Sequence, residues 1–213
     1  SNQYTLDEDS IKVVPSATEL NNDFYTIPSN FERFKEEFNI GYIGSLEKGK
    51  GIEIIIPLAK EFPKIIFHIV GGKQKDIEYW KNKSTELNNL IFHGFINPKD
   101  TFKFRNLCDI LLAPYQLSNR LSTFMSPIKI FEYMASKTSI ICSDLEVIKE
   151  NVDKEYAILV SSDNIDEWIN AIELLYSNTE YRYNIAEKAF KYCIANFTYN
   201  SRAKKILSFI EQK

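Results

Sequence analysis

The sequence predicts an α/β domain, a Rossmann-like three-layer arrangement of a parallel sheet flanked by helices, and three observations predict it. Short apolar runs without polar alternation recur along the chain, and strands buried on both faces read that way. Helical stretches lie between those runs, an alternation that gives parallel strands joined by right-handed crossovers. The 213 residues make one medium domain, which buries roughly 70% of its unfolded surface and needs neither disulfide nor metal as a staple.

Residues 1–38 read as a leader or interdomain linker. It is polar and acidic, with one apolar run from Ile11 to Val14 closed by Pro15 and expected as a strand, then a short helix over 31–38. From residue 39 to 213 the pattern is that of the layered domain. Strands are expected within 40–44 (IGYIG), 65–72 (IIFHIVGG), 90–94 (LIFHG), 109–114 (DILLAP), 139–143 (SIICS) and 156–160 (YAILV). Helices are expected over 52–62, 75–82, 98–106, 127–136 and 145–151, the fourth capped by Ser126 with Pro127 at its first helical position. After the last strand, Ser162 or Asp163 is expected to cap a helix whose Ile165, Trp168, Ile169, Ile172 and Leu175 share one face. Two more C-terminal helices follow, near 180–196 and 199–211.

Composition narrows the function. With 44% hydrophobic and 26% charged residues the chain is a soluble globular protein. A net charge of −3 and a pI near 5.6 argue against nucleic acid as partner, which leaves a basic domain or stripe. Cys108, Cys142 and Cys193 are odd in number and widely spaced, the pattern of buried reduced thiols in a cytoplasmic protein. No apolar run reaches the roughly 18 residues of a membrane span, and no signal peptide is visible. Ser1 and Asn2 read as a cloning remnant, and the polar opening as the start of a piece of a longer protein.

In an open parallel sheet, ligands bind beyond the carboxyl ends of the strands. After the first strand comes GSLEKGKG, residues 44–51. Its glycines let backbone amides approach a ligand, a helix starts at once, and Lys48 and Lys50 are at hand, an arrangement suited to phosphate. A solvated Gly-Lys turn is the other reading, and neither the P-loop nor the dinucleotide spacing is present. After the fourth strand, a long loop leads to SPIKIFEYMAS, where the amides of Ile128 and Lys129 are expected to face outward at the positive end of the helix dipole. Glu132, one turn in, either faces solvent or accepts two hydrogen bonds from a vicinal diol such as ribose. His68 and His93 read as satisfied strand histidines. Asp7-Glu8-Asp9 resembles a metal-binding acidic motif but lies in the polar leader, so no metal site is expected.

Together these blocks resemble the C-terminal, donor-binding domain of the group-1 retaining glycosyltransferases with the two-domain GT-B fold. GYIGSLEKGKGIEIIIPLA, IIFHIVGG, LIFHGFI, DILLAPY, SPIKIFEYMASKTSIICSD and AILVSSDNIDEWINAI follow in the family's order. The resemblance implies that Lys50 holds the donor's diphosphate and that Glu132 hydrogen-bonds the nucleotide ribose. It implies that Ser126, Pro127 and Ile128 form the helix start that receives the phosphates. Gly94, Phe95 and Ile96 match the turn whose backbone meets the base, Gly71 and Gly72 the turn after the second strand, and Gly44 the first glycine. Two departures stand out: Ser45 occupies the place of a second phosphate cation, and Phe124 that of an earlier glutamate that contacts the donor sugar. Lys129 is then expected to make up the missing positive charge.

The implied reaction transfers a sugar from a UDP-sugar or GDP-sugar to an acceptor hydroxyl, without metal or cofactor, with Lys50, Lys129 and Glu132 as the catalytic set. The acceptor domain would lie outside this chain, which alone is expected to bind donor weakly and turn over little. A cytoplasmic place is expected, with peripheral association of the full-length enzyme with the inner face of the membrane, in bacterial surface polysaccharide synthesis. Three alternatives are a nucleotide-sugar epimerase, a non-catalytic nucleotide-binding or scaffold domain, and a flavodoxin-like signalling module, the last lacking its acidic cluster.

Overall fold

The computed structural model describes residues 11–20, 37–117 and 125–211. A six-stranded sheet carries β1 (Phe38–Ile43), β2 (Ile65–Val70), β3 (Leu90–Gly94), β4 (Ile110–Ala113), β5 (Ser139–Ser143) and β6 (Ile158–Val160) in the order β3-β2-β1-β4-β5-β6. Every neighbouring pair is parallel. The helices are α1 (Ile52–Glu61), α2 (Gln74–Lys83), α3 (Pro98–Leu107), α4 (Ile128–Ala135), α5 (Glu146–Lys149), α6 (Ile165–Ser177), α7 (Thr179–Asn196) and α8 (Tyr199–Glu211).

The strands are apolar throughout because both faces are covered, as the unbroken runs require. On one face Ile40, Tyr42, Phe67 and Ile69 pack against Ile55 and Leu58 of α1, Trp80 of α2, and Trp168 and Ile172 of α6. On the other, Leu111, Ile140 and Cys142 pack against Phe104 of α3, Ile130 and Phe131 of α4, Ile148 of α5 and Cys193 of α7. All three cysteines are buried free thiols.

The chain reverses its winding at β1, which pairs with β2 on one side and β4 on the other. Six residues of β1 are in register with β2, but only Ile40 and Gly41 with β4. Beyond Gly41 no strand pairing joins the two, and their carboxyl ends mark the switch point, the crevice in which such sheets bind ligands. The amide of Ile43, left without a strand partner there, donates instead to the hydroxyl of Tyr133 on α4, 3.0 Å away.

Three expectations are corrected. Residues 11–14 form no strand; the segment's single pairing is an isolated parallel bridge between Thr18 and Thr198, with the Thr18 amide donating to the Phe197 carbonyl at 2.8 Å. Phe38, expected at the end of a helix, opens β1; residues 31–36 lie outside the described ones. The sixth helix is capped at Asn164, not Ser162 or Asp163, because Glu167 turns back to accept from the Ser161 amide (2.7 Å) and Asn164 Nδ2 (3.0 Å).

Candidate functional site

The glycine-rich segment after β1 is shaped from below. The buried hydroxyl of Tyr42 donates towards two carbonyls, those of Ser45 (2.8 Å) and Lys50 (3.1 Å), and so folds the loop over its own ring. Trp80 donates its indole N–H to the Leu46 carbonyl at 2.7 Å. Glu53 Oε1, in the first turn of α1, accepts from the Gly49 amide at 2.8 Å. The next loops rise beside it: the Gly44 amide donates to Val70 and the Gly71 amide to Gly94, so the ends of β1, β2 and β3 form one hydrogen-bonded ledge. Gly71 has φ 102°, and a Cβ there would strike the carbonyl oxygen of Gly44. No larger residue fits that approach.

Facing the ledge across the crevice is the start of α4. The helix begins at Ile128, with Pro127 in the capping position. Ser126 does not cap it: its Oγ accepts from the Ser16 amide at 3.2 Å, and the Ile128 amide turns in to the Ser126 carbonyl at 2.8 Å. The expected pair of outward amides is therefore reduced to that of Lys129, which has no hydrogen bond to a described residue. Pro127 is the central residue of this tight turn (φ −80°, ψ 64°), and its fixed φ suits that place.

Lys129 is the centre of the site. Its ammonium lies 4.1 Å from the centre of the Tyr42 ring and 5.4 Å from that of Tyr115. A Cβ on Gly44 would sit 2.8 Å from that nitrogen, so the glycine is what admits the cation. No carboxylate lies within ion-pairing distance of it among the described residues. Burial, and then the neighbouring Lys50, push Lys129 down to about 7, against the pull of Glu132. Ring faces stabilise a cation modestly, and two lysines brought together with one dehydrated make a place for an anion.

Glu132, one turn further along α4, has a side chain 39% exposed, and its Oε1 makes no hydrogen bond to a described residue. The other side meets Arg105 of α3, whose Nη1 is 3.5 Å from Glu132 Oε2. Arg105 is 6% exposed; burial lowers its affinity for the proton, and Glu132 opposes that. Sequence reasoning missed Arg105; the one available signal was its place three residues after Phe102, on the buried face of α3.

The structure thus brings together Gly44, Ser45, Lys50, Lys129 and Glu132, the last two on one helix and the rest on the loop that Tyr42 folds towards it. Ser126 and Pro127 stand at the helix start, Ser126 exposed and Pro127 buried. Gly71, Gly72 and Gly94 all adopt positive φ on the ledge, while Phe95 beyond it is 80% exposed and Ile96 half-buried. Phe124 and the acidic run Asp7-Glu8-Asp9 lie outside the described residues. Among the described ones, no cluster of metal-ligating side chains is present and no helix is long and apolar enough to cross a membrane.

His68 and His93 are satisfied strand histidines. His68 Nδ1 lies 2.9 Å from His93 Nε2, and His68 Nε2 lies 3.0 Å from Asn39 Oδ1. Burial first, then His93, pushes His68 down to about 3, and burial lowers His93. Burial thus favours the uncharged form of both rings.

The chain is similar to known proteins in sequence and in fold. The family model described as glycosyl transferases group 1 matches residues 23–192. The chain is 28% identical over 139 residues to an alpha-galactosylglucosyldiacylglycerol synthase of Streptococcus pneumoniae, covering 62% of this chain and 36% of that protein. It is 27% identical over 188 residues to an uncharacterized glycosyltransferase of Methanocaldococcus jannaschii, covering 85% and 47%. It therefore spans less than half the length of these curated relatives. Among solved structures, the sucrose-phosphate synthase of Thermosynechococcus elongatus superposes with a TM-score of 0.77 at 18% identity, covering 94% of this chain and 52% of that one. Anabaena HepE in complex with UDP and glucose superposes with 0.73 at 20% identity, covering 88% and 53%. The C-terminal domain of a group-1 family protein of Francisella tularensis gives 0.65 at 22% identity, covering 80% of this chain and 92% of that domain. The fold is the Rossmann-like half of a GT-B enzyme, and the chain belongs to the group-1 glycosyltransferases.

Proposed function

We propose that this chain is the donor-binding half of an enzyme that transfers a sugar from a UDP-sugar or GDP-sugar to an acceptor hydroxyl. The observation that carries the reading is Lys129: a half-buried lysine whose ammonium faces the Tyr42 and Tyr115 rings, without a carboxylate partner among the described residues, beside Lys50 and past the last pairing of β1 with β4. A diphosphate laid between the two lysines and the Lys129 amide neutralises the charge that burial penalises. Glu132 then accepts hydrogen bonds from the ribose, and the backbone at Gly94, Phe95 and Ile96 meets the base. That the related HepE was solved with UDP supports the choice of ligand.

In the reaction the bond between the sugar's anomeric carbon and the β-phosphate oxygen breaks, its electron pair leaving with the diphosphate. The acceptor oxygen forms the new bond and its proton goes to the released diphosphate. Charge accumulates on that diphosphate, and preorganised cations that meet it there lower the barrier. Lys50 and Lys129 supply them, so no metal or cofactor takes part. The acceptor is held by a further domain, and the enzyme works at the cytoplasmic side of a bacterial membrane, on surface glycolipid or polysaccharide. The Streptococcus pneumoniae relative's name fits that setting.

Calorimetric titration with UDP, GDP and ADP in the presence of EDTA tests the reading. One nucleotide is expected to bind, and Glu132→Ala to weaken it by about 1–3 kcal/mol. No binding of any of the three at millimolar concentration would sink the assignment and leave the family's fold alone.

A further inference from the structure

Glu132 is useful to a ribose only if its carboxylate is held in one orientation, and the group that holds it comes from another helix. Arg105, in the last turn of α3, is walled in. Its guanidinium packs 5.8 Å from the centre of the Phe102 ring, and its Nη1 lies 3.4 Å from Thr101 Oγ1 and 3.5 Å from Glu132 Oε2. Its Nε is buried with no hydrogen-bond partner among the described residues. Its main chain is pinned as well, since Thr138 Oγ1 donates to the Arg105 carbonyl at 3.0 Å.

The pairing is lopsided. The cation is almost wholly enclosed, whereas the Glu132 side chain is more than a third exposed. Enclosing a guanidinium is costly, and a pair serving stability alone is compensated best when both partners are enclosed and fully hydrogen-bonded. Here the arginine keeps an unmet donor and meets only one carboxylate oxygen. A guanidinium does not give up its proton, so its hold on that oxygen is constant, and the other oxygen is left without a hydrogen bond to a described residue.

Building on the donor reading above, we propose that Arg105 is a positioning residue for the donor ribose, fixing Glu132 by its Oε2 so that the carboxylate accepts from the ribose diol.

The test compares the affinities of UDP and GDP with those of their 2′-deoxy forms and of inorganic pyrophosphate, by calorimetry, in the wild-type chain and in Arg105→Met. The wild type is expected to prefer the ribonucleotide by about tenfold, the worth of one charge-assisted hydrogen bond. In Arg105→Met that ratio is expected to fall towards one while pyrophosphate binds as before. An unchanged ratio, or an equal loss for nucleotide and pyrophosphate, overturns the proposal and makes Arg105 a wall residue only. If the methionine variant does not fold, Arg105→Lys is read instead: it keeps the charge but not the fork, so an intermediate ratio supports the proposal and an unchanged one overturns it. A wild-type chain that binds nucleotide without regard to the 2′-hydroxyl refutes the ribose role of Glu132 itself.

Discussion

The two edges of the sheet treat charge in opposite ways. At the amino edge, Arg182 of α7 is buried and closed: its Nη1 donates to the Leu175 carbonyl at 2.6 Å and its Nη2 lies 3.9 Å from Asp109. Asp109 in turn accepts from the Asn39 amide at 2.9 Å, and Ser139 Oγ donates to the Arg182 carbonyl at 2.6 Å. At the carboxyl edge, Lys129 is half-buried against two ring faces beside Lys50, with no carboxylate in ion-pairing range among the described residues, and Glu132 spends half its carboxylate on Arg105. A closed network holds a fold together; an open one holds a place for something else. The sheet keeps its satisfied ions at one end and its unsatisfied ones at the other.

The largest effect is expected from breaking the closed edge. Arg182→Met leaves Asp109 half-buried without its cation and should cost about 3 kcal/mol of stability in urea unfolding. The nucleotide affinity of the folded fraction should not change; a selective loss of binding would contradict the division between the edges. Next comes Lys129→Met, which removes the open cation. Nucleoside diphosphate affinity should fall by about tenfold to a hundredfold, while the melting temperature holds or rises, because a dehydrated charge has gone. If both fall together, Lys129 belongs to the scaffold.

Acidity sharpens the same contrast. Lys129 titrates at about 7 in the folded chain, below the roughly 10.4 of an unfolded lysine. Between those values the unfolded chain holds the extra proton, so the contribution of Lys129 to stability rises with pH across that window. Affinity for a diphosphate runs the other way, falling as pH climbs past 7. Both slopes should flatten in Lys129→Met, measured by melting and calorimetry at pH 6 to 9. The smallest effect expected is that of His68, which lies at about 3 in the folded chain against roughly 6.5 unfolded. The unfolded chain binds the proton first, so stability should decline as pH falls below 6.5, and His68→Gln should reduce that decline.

The strands were legible because the sheet buries both faces, and a run such as IIFHIV admits few other readings. The leader was not: Ile11 to Val14 has strand-like side chains, but pairing needs an edge, and sequence does not say where an edge is free. At the site, the glycines and Lys50 were legible because spacing after a strand fixes their place. Lys129 was visible as a charge but not as one set against rings, since Tyr42 comes from β1 and Tyr115 from the loop after β4, and they meet it only in the fold. Arg105 was hidden for the same reason, its partner lying on another helix, 27 positions away. The turn at Ser126 was misjudged because its hydroxyl is engaged by Ser16, 110 residues earlier.

The bond from Trp80 to the Leu46 carbonyl gives the protein a natural fluorophore in contact with its own glycine-rich loop. The second tryptophan, Trp168, is wholly buried and donates to Ser161, so its emission is a steady background. A wavelength shift on adding nucleotide would thus report movement of residues 44–51. Heat released without any shift would mean that the loop waits in its bound shape.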